Sequence, residues 1–125
     1  MTAQIIPVPA FDLVVFGATG DLAFRKLLPA LYWRERDQQM PSGSRIIAVA
    51  RKEQSTADYL AQVESACREH VDGRGFDEAV FARLAERLTY VRLDASLRGG
   101  WEPLVQALQS DEVRARPFYL ATSPE

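Results

Sequence analysis

The stretch FDLVVFGATGDLA, residues 11–23, decides the fold of this chain. Its apolar run from Leu13 to Phe16 leads into Gly17-Ala18-Thr19-Gly20, and a helical pattern follows at once. A continuous apolar run is typical of a buried parallel strand, because both faces of such a strand are covered. Glycine lets the backbone approach a phosphate closely, and the following helix points free N–H groups at the same place. The order of these parts predicts a nucleotide-binding turn.

The spacing of small residues in this turn resembles a dinucleotide fingerprint. Gly17, Gly20 and Ala23 follow that pattern with the first two glycines drawn together and alanine in the third place. A glycine turn alone is also compatible with a purely structural role, but the strand before it and the helix after it favour nucleotide binding. Thr19 and Asp21 lie where a helix start needs a hydrogen-bond acceptor, so capping explains either residue without a ligand. The hydroxyl of Thr19 could also reach a coenzyme phosphate.

Strand and helix patterns alternate along the rest of the chain. We predict further strands over 45–50, 89–93 and 117–121, and helices over 21–39, 55–71, 77–87 and 101–108. Pro29 should kink the first helix, and Leu22 should face inward with the other leucines of that helix. The alternation predicts an α/β fold, a Rossmann-like doubly wound parallel sheet of about four strands with crossover helices. Such a sheet binds its ligand at the carboxyl ends of its strands, where the winding direction reverses.

Composition indicates one globular unit and excludes several classes of partner. The chain has 125 residues, of which 47% are hydrophobic and 26% charged, and its net charge is −2 without a long block of either sign. This composition indicates neither nucleic acid nor a membrane as a partner. A single cysteine, Cys67, suits the cytoplasm and gives no metal or disulfide pattern. We divide the chain into a flexible amino-terminal arm, 1–10, and a coenzyme-binding domain, 11–125.

Arg51 ends the second predicted strand, where an NAD-binding fold usually has a carboxylate that holds the adenosine ribose. A guanidinium there can bind a 2′-phosphate that a carboxylate would repel, which predicts NADP as the coenzyme. The alternative is an ordinary exposed arginine at a strand end. Asp94 and Ala95 end the third strand, where they either line the adenosine side or only begin a turn. His70, the one histidine, is interpreted as a surface residue, so we assign no catalytic residue.

The run GATGDLAFRK, residues 17–26, with its flanking strands, resembles the amino-terminal start of glucose-6-phosphate dehydrogenases. The similarity continues through Ala50-Arg51, Asp94 and the final strand FYLA, and so covers nearly all of the chain after residue 10. The resemblance implies a coenzyme turn formed by Gly17, Ala18, Thr19, Gly20, Asp21, Leu22, Ala23 and Phe24. It also implies that Arg51 holds the 2′-phosphate of NADP, that Asp94-Ala95 line the adenosine side and that Lys26 faces the sugar phosphate.

The chain departs from the family pattern at two places. Phe24 stands where a basic residue is usual, and Ala121-Thr122-Ser123-Pro124 replaces the sequence Ala-x-Pro-Pro. The family's Glu-Lys-Pro segment and its Arg-Ile-Asp-His-Tyr-Leu-Gly-Lys segment, which holds the catalytic histidine, have no match in these 125 residues. The resemblance therefore implies that the NADP-binding Rossmann domain, 11–125, is incomplete and that the chain is a fragment of a longer enzyme, inactive alone.

The resemblance further implies that the complete enzyme is an NADP-dependent homo-oligomer that oxidises glucose 6-phosphate to 6-phosphogluconolactone, at the entry of the pentose phosphate pathway. A second hypothesis is a non-catalytic NADP-binding or sensing module of the atypical short-chain reductase type, suggested by Gly-Ala-Thr-Gly. Those sequences carry a glycine near the position of Ala23, which argues against them. A third hypothesis is a structural interaction domain in which the glycines serve only the fold.

Overall fold

A parallel sheet of four strands forms the centre of the fold. The computed structural model describes residues 10–71, 76–94, 98–109 and 114–121. The strands are β1 (Asp12–Phe16), β2 (Arg45–Ala50), β3 (Leu88–Arg92) and β4 (Phe118–Leu120), in the spatial order β3-β2-β1-β4. The chain winds from β1 outward to β3 and then returns to place β4 on the other side of β1, so the winding direction reverses between β1 and β4. The predicted Rossmann-like, doubly wound parallel sheet is confirmed.

Helices cover both faces of the sheet. They are α1 (Leu28–Arg36), α2 (Thr56–His70), α3 (Glu78–Arg87) and α4 (Glu102–Ala107). Buried Tyr32, Tyr59 and Leu84 of the first three helices pack on one face, and Leu104 of α4 packs on the other. This double coverage explains the continuous apolar runs at Leu13–Phe16 of β1 and Ile46–Ala50 of β2. No helix in the described ranges has both the length and the apolar character to cross a bilayer.

The first helical region differs from its sequence prediction. Instead of one helix over 21–39, a π-helical turn at Ala23–Leu27 precedes α1, which ends at Arg36. Leu28 donates its N–H to the carbonyl of Ala23, and Pro29 then lies in the first turn of α1, where a missing N–H costs little. The change of hydrogen-bond register therefore falls beside the proline. The inward placement of Leu22 is wrong, because this side chain is 36% exposed.

The short helix α4 leaves part of its sheet face uncovered. Trp101 and Val105 are 49% and 55% exposed, although their helical spacing puts them on the same side as Leu104, which is buried. Phe118 and Leu120 of β4 are also exposed, and the ring of Phe118 stacks on that of Phe16 at 5.9 Å. The helix covers β1, β2 and β3 through Leu104 but does not reach across β4. An exposed apolar surface results.

A buried ionic cluster fixes the opposite end of β1. The carboxylate of Asp12 is fully buried and accepts two hydrogen bonds of 2.8 Å from Arg45. Arg114 lies 3.0 Å from the same carboxylate, and Arg116 donates to it at 3.3 Å. The hydrogen bond from Arg45, followed by the contributions of Arg116 and Arg114, lowers the pKa of Asp12 against the opposing effect of burial. Pairing Asp12 with arginines distant in sequence ties β1 to β2 and to the segment before β4.

We expect the stability of the chain to fall in acid through Asp12. The pKa of Asp12 is lower in the folded chain than its ordinary value of 3.8. The stabilisation by its carboxylate is therefore complete above the pKa that Asp12 has in the unfolded chain, and it is lost as the pH falls through the pKa of the folded chain. Each pKa unit between the two states corresponds to about 1.4 kcal/mol. Urea unfolding at neutral and acidic pH measures this contribution.

Asp12→Asn tests this contribution, because it keeps the shape of the side chain and removes its charge. It should lower the free energy of unfolding at neutral pH by roughly 1.5–3 kcal/mol, the range for a hydrogen bond to a charged group. It should also flatten the dependence of stability on pH. A variant that keeps the acid dependence of the wild type would contradict the role given to Asp12.

Candidate functional site

The glycine turn lies at the carboxyl edge of the sheet, which we define as the edge formed by the carboxyl ends of the strands. Gly17 follows β1 with a φ of 78°, in the left-handed region that favours glycine. The N–H groups of Gly17 and Ala18 donate to the carbonyl of Val49 in β2 at 3.0 and 3.1 Å, and Gly20 donates to the carbonyl of Gly17 at 3.0 Å. The turn is therefore fixed to β2, and it follows β1, the strand beside which the winding of the sheet reverses.

Gly20 lies where the turn approaches the end of β4. A Cβ atom at this position would be 3.3 Å from the carbonyl oxygen of Gly17 and 3.6 Å from that of Ala121. The first of these distances is tighter than an ordinary contact. Any residue larger than glycine therefore crowds the backbone of the turn, which is the part of a nucleotide site that a pyrophosphate approaches.

Tyr59 supports the turn from beneath, a role that the sequence analysis missed. Its hydroxyl donates to the carbonyl of Ala18 at 2.8 Å, and both residues are fully buried. Burial raises the pKa of Tyr59 well above its ordinary value, so the hydroxyl remains a donor. The spacing of Tyr59 with Val63 and Cys67 on one face of α2 predicts its burial, but no feature of the sequence predicts its partner.

The side chains after the turn point in different directions. Asp21 forms an exposed ion pair with Arg25 at 2.9 Å. Ala23 is buried, and Phe24 packs against the ring of Tyr59 at 5.7 Å. Phe24, at the position where the sequence departs from the family pattern, thus contributes to packing. Exposed Lys26 lies in the π-helical turn.

Arg51 follows the last residue of β2 and is exposed at the same carboxyl edge as the glycine turn. Val49, two positions earlier, is the residue whose carbonyl holds Gly17 and Ala18. The structure therefore brings together the two features from which the sequence predicts a coenzyme site. Lys52, beside Arg51, is also exposed.

Asp94 lies just beyond β3 at the carboxyl edge and is half-buried. It borders a cavity of about 380 Å³ between β3 and α4, together with Arg92 and Arg98. This cavity lies beside the third strand and does not include the glycine turn. Ala95 lies outside the described residues.

A family model described as "Glucose-6-phosphate dehydrogenase, NAD binding domain" matches residues 14–125. The chain belongs to the glucose-6-phosphate dehydrogenase family. The matched part is the family's nucleotide-binding domain, which confirms the resemblance found in the sequence. Glucose-6-phosphate 1-dehydrogenase of Rhizobium meliloti (strain 1021) is 45% identical over 124 residues, which are 99% of this chain and 25% of that protein.

Solved structures of the family agree in fold. The crystal structure of glucose-6-phosphate 1-dehydrogenase from Mycobacterium avium superposes with a TM-score of 0.79 and 34% identity, over 93% of this chain and 24% of that one. A glucose-6-phosphate dehydrogenase in complex with its substrate glucose-6-phosphate superposes with a TM-score of 0.73 and 25% identity, over 98% of this chain and 26% of that one. The chain thus spans about a quarter of the length of these relatives.

Within the part of the chain that the structure describes, we find no second candidate site, either around His70 or among residues that could bind a metal. That part contains no group of three His, Cys, Asp or Glu residues able to hold a metal ion. His70 is the last residue of α2 and lies 4.0 Å from Glu69. Because α2 begins beside the carboxyl edge and leads away from it, His70 lies far from the glycine turn.

Proposed function

We propose that this chain is the NADP-binding part of a glucose-6-phosphate dehydrogenase. The proposal rests on the position of the glycine turn and Arg51, which follow β1 and β2 at the same carboxyl edge, next to the place where the winding of the sheet reverses between β1 and β4. Ligands of doubly wound sheets bind at this place. The backbone of residues 17–24 would receive the pyrophosphate, and the guanidinium of Arg51 would receive the 2′-phosphate.

The residues present fit such a coenzyme. Gly17 has a positive φ, and a Cβ atom at Gly20 would crowd the backbone of the turn, so glycine at both positions leaves the backbone open to a phosphate. The acidic side chain nearest in sequence, Asp21, is already paired with Arg25. We assign the adenosine side of the site to Asp94 and Ala95. Arg51 at the strand end, in place of a carboxylate, favours NADP over NAD.

For the complete protein we propose the oxidation of glucose 6-phosphate to 6-phosphogluconolactone, the entry reaction of the pentose phosphate pathway. NADP, when bound, supplies the hydride acceptor. Lys26, exposed in the π-helical turn, would face the sugar phosphate. We further propose that the complete protein is a cytoplasmic homo-oligomer. Burial raises the pKa of the Cys67 thiol to about 12, which makes it unreactive and agrees with a purely structural cysteine in that compartment.

Arg51→Ala should weaken NADP binding by about ten- to a hundredfold and change NAD binding little. Only NADP carries the phosphate that the guanidinium pairs with, and a charge-assisted hydrogen bond is worth roughly 1.5–3 kcal/mol. Calorimetric titration of both coenzymes into the wild type and the variant measures the two effects.

The matched control is Arg34→Ala, which removes an exposed arginine of α1 and changes the net charge equally. It should leave both affinities unchanged. Equal losses for NADP and NAD in Arg51→Ala would contradict the 2′-phosphate assignment. A wild-type chain that binds neither coenzyme would contradict the proposed function as a whole.

A further inference from the structure

Hydrogen bonds between β2 and β3 continue into the backbone that follows β2, past the last paired residues of the two strands. Pairing of the two strands ends with Ala50 opposite Arg92. From Ala50 onward, three consecutive carbonyl groups accept hydrogen bonds from residues of β3 or from Leu93 just after it. These bonds are Leu93 N–H to Ala50 at 2.9 Å, Arg92 Nε to Arg51 at 3.2 Å and the Tyr90 hydroxyl to Lys52 at 2.5 Å.

Tyr90 contacts both ends of the segment that leads from β2 into α2. Its hydroxyl holds the carbonyl of Lys52, and its backbone N–H donates to the side-chain oxygen of Thr56 at 3.1 Å. Tyr90 is only 7% exposed. Burial raises the pKa of Tyr90, and the nearby Gln54 and Arg92 offset this only in part, so the hydroxyl remains a donor at neutral pH.

The two side-chain bonds differ in how strongly they restrain the backbone. Arg92 is exposed, so water and salt compete for its bond to the carbonyl of Arg51. The bond from the Tyr90 hydroxyl is partly buried, and a hydrogen bond that is better shielded from water is stronger. The ring of Tyr90 is also held against that of Tyr59 at 5.0 Å. Tyr90 is therefore the more effective restraint on the segment that carries Arg51.

We propose that Tyr90 is a positioning residue for coenzyme selection: by holding the carbonyl of Lys52, it fixes the backbone beside Arg51 so that the guanidinium is ready to receive the 2′-phosphate. This inference rests on the proposed function. Arg51 is exposed, so its neighbours leave the side chain unrestrained and a fixed backbone limits the positions that the guanidinium can reach. Fixing a binding group before the ligand arrives lowers the entropy lost on binding.

Tyr90→Phe tests this role, because it removes the hydroxyl and keeps the ring that packs on Tyr59. We expect the Kd for NADP to rise about three- to tenfold, the effect of one hydrogen bond, and the Kd for NAD to change less than twofold. The ratio of the two affinities is the decisive readout. It does not depend on the fraction of folded protein, since unfolded chain lowers both apparent affinities equally.

Tyr59→Phe is the matched control, because its hydroxyl supports the glycine turn that both coenzymes would use. It should weaken NADP and NAD alike and leave their ratio unchanged. In the background of Arg51→Ala, Tyr90→Phe should cause no further loss of NADP affinity, because the two residues act through one phosphate contact.

The outcomes separate this inference from the proposed function. If the wild type binds NADP and Arg51→Ala is selective, but Tyr90→Phe leaves the affinity ratio unchanged, the positioning role is overturned and the proposed function stands. Additive losses in the double variant would also overturn it. Failure of the wild type to bind either coenzyme would overturn the proposed function itself.

Discussion

Gly20→Val should abolish coenzyme binding while the sheet stays folded. A Cβ atom at this position already comes within 3.3 Å of the carbonyl oxygen of Gly17. The two further methyl groups of valine would occupy the space through which a pyrophosphate reaches the backbone of the turn. We expect a loss of more than about a hundredfold, or roughly 2.7 kcal/mol. NADP and NAD should lose affinity alike, since both carry the pyrophosphate.

Titration of both coenzymes, with circular dichroism to verify folding, measures this effect. Gly43→Val is the matched control, because it places the same side chain at a glycine with a φ of 85° in the loop before β2, away from the carboxyl edge. That substitution should cost stability through backbone strain and leave the affinities unchanged. Normal NADP binding by folded Gly20→Val would show that the turn does not receive phosphate.

The sequence predicts the sheet more accurately than the first helical region. The bounds of β2 are those predicted, 45–50, because an apolar run covered on both faces has few alternative structures. The π-helical turn at Ala23–Leu27 was not predicted, since its register depends on how the turn, Pro29 and the core fit together. The outward placement of Trp101 also escaped prediction, because helical periodicity shows one apolar face but not how much sheet is available to cover it.

The candidate site was also predicted only in part. Parallel topology alone predicts that Gly17 and Arg51 meet at one edge, and the structure places both there. Tyr59 and Tyr90 were missed as supports of the site. Each acts through a hydroxyl on a backbone carbonyl about forty positions away in sequence, Ala18 and Lys52 respectively. Any residue can offer a carbonyl, so such a contact leaves no pattern of residue types in the sequence.

The 125-residue chain should bind NADP without forming NADPH from glucose 6-phosphate. Hydride transfer from the sugar requires a general base at its hydroxyl, and the lack of such a base costs about a hundred- to ten-thousandfold in rate. A sugar that is not held in orientation against the nicotinamide reacts more slowly still. Spectrophotometric assay of the purified chain with both compounds measures the activity, and a complete glucose-6-phosphate dehydrogenase serves as the positive control.

The expected lack of activity rests on the position of His70, the one histidine of the sequence. Helix α2 is 15 residues long and therefore extends roughly 22 Å. Tyr59, near its start, contacts the glycine turn, whereas His70 is its last residue. A base must lie within about 3 Å of the proton that it removes, or one water molecule away, so His70 cannot serve a sugar bound beside that turn. Turnover that disappears in His70→Ala would contradict this geometry and require a second site at the far end of α2.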